Sequence, residues 1–83
     1  MKDAFENKEI VLDTSGTECP IPVLKARKLS QTLNNRDTVK VICTDPLAEM
    51  DFQHYCEQAN FTYLGCTKID DIYLIKYKFI KHI

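Results

Sequence analysis

A chain of 83 residues with 45% hydrophobic and 28% charged side chains suits one small folded domain spanning 1–83, and leaves no room for a catalytic domain beside a cofactor domain. This balance excludes a disordered tail, and the longest apolar runs, Ile10 to Leu12 and Ile72 to Ile75, are too short to cross a membrane. A net charge of −1 argues against a general nucleic-acid binder.

Residues 1–9 carry no apolar segment of the kind a secretory signal needs, so none is expected. Ile10-Val11-Leu12 reads as a first strand, and Asp13 to Thr17 as a loop. Cys19-Pro20-Ile21-Pro22 opens a helical pattern that runs to about Leu33. Prolines are tolerated in a first helical turn because the N–H groups there lack intrahelical acceptors, which places Cys19 near the N-cap. Asn34-Asn35 ends the helix. Thr38 to Cys43 reads as a second strand. Asp45-Pro46 reads as an N-cap and first residue of a second helix, whose stripe Ala48, Phe52, Tyr55, Cys56 and Ala59 ends at Asn60. Phe61 to Ile69 and Ile72 to Ile80 are the last two strands, joined by a turn at Asp70-Asp71. In the fourth, Tyr73, Ile75, Tyr77 and Phe79 share one face, and Lys76 and Lys78 the other.

The order β-α-β-α-β-β predicts an α/β fold: a two-layer sandwich with a four-stranded mixed sheet and two helices on one face. The second sheet face stays partly open and carries Lys40, Lys76 and Lys78.

Charge is segregated along the chain. The net is −3 over residues 1–20, +4 over 21–40, −4 over 41–67 and +2 over 68–83.

The cysteines are Cys19, Cys43, Cys56 and Cys66. None forms Cys-x-x-Cys and no histidine pair has ligand spacing, so no metal site is expected. Free thiols in a reducing cytoplasm are expected instead. Cys43 on a strand and Cys56 on an apolar stripe read as core, and Cys66 as structural. His54 and His82 read as solvated. Cys19 differs, because a helix N-terminus favours the thiolate, which is the nucleophile. The two prolines leave Ile21 and Val23 as the N–H donors of the first turn. With no base beside it in the sequence, Cys19 fits a carrier better than a Cys-His catalyst. At 100° per residue, Pro22, Ala26, Leu29 and Leu33 face the sheet. Ile21, Leu24, Lys25 and Lys28 point outward, an apolar patch rimmed by charge next to the thiol, as in a docking face.

The run Leu12-Asp13-x-x-Gly16-x-x-Cys19-Pro20-x-Pro22-Val23, then Arg27-Lys28, then Thr44-Asp45-Pro46, resembles the TusA/SirA family of small sulfur carriers over about residues 9–80. The resemblance implies the same two-layer fold and a persulfide carried on Cys19, supported by Asp13, Gly16, Pro20 and Pro22. It implies a cysteine desulfurase as sulfur donor, and a further carrier or a thiolation enzyme as acceptor. Destinations of that kind include tRNA 2-thiouridine synthesis and molybdenum-cofactor sulfur supply. Arg27 and Lys28 fall at partner-contact positions, beside Ile21, Leu24 and Lys25. No cofactor, no metal, no membrane contact and at most indirect nucleic-acid contact are implied. Thr17, where the family often has Leu, and Ile21, where it often has a charged residue, depart from the pattern beside the thiol and bear on partner identity. A regulatory or binding module of the same fold without sulfur transfer is the alternative. A thiol redox enzyme is disfavoured by the missing Cys-x-x-Cys.

Overall fold

The computed structural model describes residues 8–82; the expectation about a secretory signal falls largely on residues 1–7, outside that range. The elements are β1 (Glu9–Asp13), α1 (Ile21–Leu29), a 3₁₀ turn (Ser30–Thr32), β2 (Thr38–Cys43), α2 (Ala48–Ala59), β3 (Thr62–Ile69) and β4 (Ile72–Lys78). The sheet order is β1-β2-β4-β3. β1 runs parallel to β2, while β4 is antiparallel to both β2 and β3. The four-stranded mixed sheet with two helices is therefore the expected α/β fold, with the last hairpin turned inward so that β4 is central.

The core follows the two periodicities. Val39, Val41 and Cys43 alternate on β2, and Ile75 and Tyr77 on β4; all are fully buried. Ala26 of α1 and Ala48, Phe52, Tyr55 and Cys56 of α2 pack into the same cluster. Aromatic rings fill much of it, with Phe52 stacked on Tyr77 at 5.9 Å, Tyr55 edge-on to Phe61 at 5.5 Å, and Phe61 against Phe79 at 5.0 Å between centroids. The opposite sheet face carries Lys40 beside Lys76, which bridges to Glu9 at 3.1 Å.

Several boundaries differ from expectation. α1 stops at Leu29 and tightens into the 3₁₀ turn; Leu33 is already extended, and Arg36 rather than an asparagine takes the left-handed conformation. Asp37 explains this bend. It is buried, and its carboxylate accepts the Asn34 and Lys8 N–H groups at 2.8 and 3.2 Å. α2 starts two residues late, at Ala48, because Asp45-Pro46 forms a turn before it; Asn60 closes it in the left-handed conformation as expected. On β3 the register shifts between Tyr63 and Gly65. This bulge, with Gly65 at φ 127°, brings Cys66 opposite Ile75 and onto the core side. His82 is exposed yet stacks on Phe61 and meets the Ala59 carbonyl at 3.1 Å, so it is packed rather than simply solvated.

The Tyr77 hydroxyl is buried without a hydrogen-bond partner, which costs roughly 1–3 kcal/mol. Tyr77→Phe is therefore expected to leave the urea midpoint unchanged or raise it. Phe52→Ala, at the centre of the same cluster, is expected to lower stability by about 3–5 kcal/mol. A clear loss of stability in Tyr77→Phe would show that the hydroxyl has a partner.

Candidate functional site

The site forms where two loops leave the sheet side by side. β1 and β2 are parallel neighbours, so their C-terminal ends lie at one edge and the loop after each strand starts a helix there. In the first loop Asp13 Oδ1 accepts the Ser15 N–H and hydroxyl at 2.9 and 2.7 Å. Thr14 is buried and donates from N–H and hydroxyl to the Ile42 carbonyl at 2.8 and 2.7 Å. Gly16, at φ 82°, donates its N–H to Thr44 Oγ1 at 2.9 Å. A side chain is disfavoured at that angle, so Gly16 allows the turn that joins the two loops.

Asp45 completes the join. Its Oδ2 accepts the Cys19 N–H at 2.6 Å and its Oδ1 accepts the Leu47 N–H at 3.0 Å. These two backbone donors hold its carboxyl below the usual carboxylate range. Asp45 is therefore not the expected N-cap, a position Leu47 takes without a side-chain bond; it holds the turn before α2 and clamps the residue that carries the thiol.

Cys19 is half-buried and lies one residue before Pro20, the N-cap of α1. It stands between two depressions. One, of about 440 Å³, is lined by Gly16, Thr17, Glu18, Thr44, Asp45, Pro46 and Leu47. The other, of about 180 Å³, runs between the helices and is lined by Pro20, Val23 and Arg27 of the first and Asp51, His54, Tyr55 and Gln58 of the second. Arg27 lies over the Tyr55 ring, 5.0 Å from its centroid, a cation–π contact. Residues 51, 54, 55 and 58 have the i, i+3, i+4, i+7 spacing of one helix face.

The electrostatics at the sulfur reverse the expectation of a favoured thiolate. Interaction with the Asp51 carboxylate, then burial, then the negative charges of Asp51 and Asp45 push the Cys19 thiol up to about 11. The Ile21 N–H, expected to serve the sulfur, donates instead to the Glu18 carbonyl at 2.8 Å. The helix N-termini face carboxylates that are already present.

Among the other residues singled out in the sequence, Pro22 is buried under α1 and Pro20 is exposed. Ile21 and Leu24 are exposed to 42% and 54%, with Lys25 and Lys28 also exposed on α1. Lys25 is close enough to help lower the Asp13 carboxyl, after the larger effect of its Ser15 hydrogen bonds. Arg27 turns into the interhelical groove and so is separated from the outward lysines. Cys43 and Cys56 are buried, where desolvation raises both thiols. Among the described residues, no group of three or more His, Cys, Asp or Glu side chains is placed to hold a metal ion. No helix there is long and apolar enough to cross a membrane.

The sequence signals missed Asp51 and read His54 only as solvated; His54 is exposed but lines the groove with Cys19.

A profile of the family described as Sulfurtransferase TusA matches residues 10–78. Two proteins of Neisseria meningitidis, from serogroups A and B and each named as a candidate sulfur carrier protein, are 31% identical over 64 residues, covering 77% of this chain and 86% of theirs. The crystal structure of a SirA-like protein from Desulfitobacterium hafniense has the same fold, with a TM-score of 0.71 at 24% identity, covering 87% of this chain and 99% of that one.

The Asp45 clamp has a pH signature. Its carboxyl is lowered in the fold from the ordinary 3.8. Its contribution to stability is therefore complete above pH 3.8 and is lost as pH falls through the lower folded value. Urea midpoints measured from pH 6 to pH 2 should fall over that acid range, and less steeply in Asp45→Asn. Equal slopes in the two chains would rule out the clamp as a source of acid sensitivity.

Proposed function

Because the chain belongs to the TusA sulfurtransferase family, we propose that it is a sulfur carrier that receives a persulfide sulfur on Cys19 from a cysteine desulfurase. The observation that carries this reading is the placement of Cys19: on a rigid loop at the domain edge, open to two depressions and beside an apolar patch. In the transfer, the Cys19 sulfur attacks the outer sulfur of the donor's cysteine persulfide. A new S–S bond forms on Cys19, the donor S–S bond breaks, and the donor cysteine leaves with the electron pair and takes a proton. The reverse logic delivers the outer sulfur to an acceptor, either a second carrier or a thiolation enzyme. tRNA 2-thiouridine synthesis and molybdenum-cofactor supply are the destinations this chemistry suits.

Asp13, Gly16, Pro20 and Pro22 support the reading by holding the loop and the helix start. Ile21, Leu24, Lys25 and Lys28 supply an apolar face rimmed by cations, of the kind a protein partner covers, and Arg27 borders the groove into which the partner's persulfide would reach. Contact with nucleic acid is at most indirect in this scheme. The free thiols suit the cytoplasm.

Incubation with a cysteine desulfurase and cysteine should add one sulfur to the protein, placed on Cys19 by peptide mass spectrometry and absent in Cys19→Ser. No gain on any cysteine with a competent desulfurase would leave a binding module without sulfur traffic. Leu24→Asp should slow transfer from the desulfurase by about tenfold or more, since a charge in an apolar contact costs at least ~1.4 kcal/mol, while alkylation of Cys19 by iodoacetamide stays unchanged.

A further inference from the structure

We propose that the sheet face turned away from the helices docks an extended acidic segment of a partner protein, of the pattern acid-x-acid-x-apolar. Its two carboxylates pair with Lys78 and Lys76, and its apolar side chain packs on Leu74 and Leu64. This face is separate from the surroundings of Cys19, and the proposal does not depend on sulfur transfer.

Strand alternation builds the face. Val39, Val41 and Cys43 of β2 and Ile75 and Tyr77 of β4 turn into the core beneath both helices. Lys40 and Ile42 of β2 and Leu74, Lys76 and Lys78 of β4 therefore turn the other way. Val11 stands beside Lys40 in the register. It is 57% exposed, and Leu64 is 47% exposed, so apolar surface flanks the lysines on both sides.

Three observations select an acidic segment. The first is charge. Lys40 and Lys76 lie directly opposite each other on β2 and β4, and like charges in that position repel. Lys76 reaches Glu9 at 3.1 Å, while among the described residues Lys40 and Lys78 have no ion-pair partner. Asp13, at the end of β1, is turned to Ser15. Three lysines thus share Glu9, an excess that a partner's carboxylates relieve.

The second is shape. A depression of about 420 Å³ opens at the lysine pair, lined also by Leu64, Gly65, Thr67 and Leu74. Gly65 lies opposite Lys76 at the bulge, and a Cβ there would meet nothing within 4 Å, so room is left beside the ammonium group. The third is spacing. Lys78, Lys76 and Leu74 follow one another at two-residue steps along β4, each ~7 Å. Alternate side chains of an extended peptide have the same step, so acid, acid and apolar side chains fall in register with them.

Other occupants match less of this. A second copy docked by two-fold symmetry would set lysines against lysines. RNA would lack a ring to stack on, because Tyr63, Tyr73 and Tyr77 belong to the core side. A segment held on this face leaves Cys19 accessible, since the groove beside the thiol lies between the helices, across the sheet.

The test follows backbone amide shifts of the isotope-labelled full chain as acetyl-Glu-Ser-Glu-Ser-Leu-amide is added at low salt, up to about 5 mM because exposed ion pairs are individually weak. Shifts should gather on residues 38–42, 64–67 and 74–78. Affinity should fall a few-fold when NaCl is raised from about 0.02 to about 0.3 M. It should fall about tenfold or more in the double variant Lys40→Glu with Lys78→Glu, where each reversal turns an attraction into a repulsion. Absence of shifts overturns the proposal, as do shifts that gather instead on α1 around Lys25 and Lys28. Equal binding of the same peptide with Gln in place of Glu also overturns it, and so does tighter binding of a uridine-rich RNA decamer at the same amides. The Gln control and the salt dependence use the native chain, so they decide the matter even if the double variant does not fold.

Discussion

One carboxylate holds the working end of this molecule together. Asp45 accepts the Cys19 N–H through one oxygen and the Leu47 N–H through the other, and so ties the start of α1 to the start of α2. The tie is available because β1 and β2 are parallel neighbours: their C-terminal ends share an edge, and the two loops leave the sheet from the same place. Open α/β sheets put their sites at such edges for this reason. Gly16 and Thr44 add a second link between the same loops. Without these links the thiol would sit on an untethered loop, and its relation to the groove between the helices would not be set.

The same placement decides the charge at the sulfur. Two helix N-termini converge here, and each favours an anion. That preference is met by Asp45 and Asp51, which occupy the turn and first turn of α2, rather than by a thiolate. Segregation of charge along the chain then acquires a spatial meaning. The positive stretch forms α1 and the negative stretch α2, and the two helices pack against each other with Arg27 over Tyr55 at their seam. The groove is therefore acidic on one wall and cationic on the other, while the outward face of α1 offers apolar side chains between lysines. A partner that brings positive charge to Asp45 and Asp51 lowers the electrostatic cost of ionising Cys19 as it docks.

Legibility in the sequence depends on how local each signal is. Thr38–Cys43 alternates cleanly and forms β2 with those bounds, and the stripe from Ala48 to Ala59 is the buried face of α2. The outward position of Ile21 and Leu24 was readable from a helical wheel alone. Sheet order was not, because nothing in a strand's own pattern says that β4 inserts between β2 and β3. The late start of α2 and the early end of α1 have the same origin: Asp45 and Asp37 spend their carboxylates on N–H groups distant in sequence, Cys19 and Lys8, and a capping rule sees only neighbours. Asp51 was present in the sequence as part of the 51, 54, 55, 58 face, but a polar stripe carries no meaning until the helix opposite it is known.

A thiol pushed up to about 11 is far less ionised at pH 7 than an ordinary cysteine. For a catalyst turning over small molecules that would be a defect. For a half-buried residue at a domain edge that is proposed to exchange sulfur with chosen partners, it is a gain in selectivity. Oxidants and stray disulfides meet a protonated sulfur, whereas a docked partner that brings positive charge to Asp45 and Asp51 eases its ionisation. Because part of the suppression comes from the Asp51 and Asp45 charges, contact can lift that part without any change of fold. That matters in a chain whose core is already filled by Phe52, Tyr55 and Tyr77, and whose loop around Cys19 is pinned at Thr14, Gly16 and Asp45. A close-packed core and a pinned loop leave little for a conformational switch to move, so control of this thiol falls to charge.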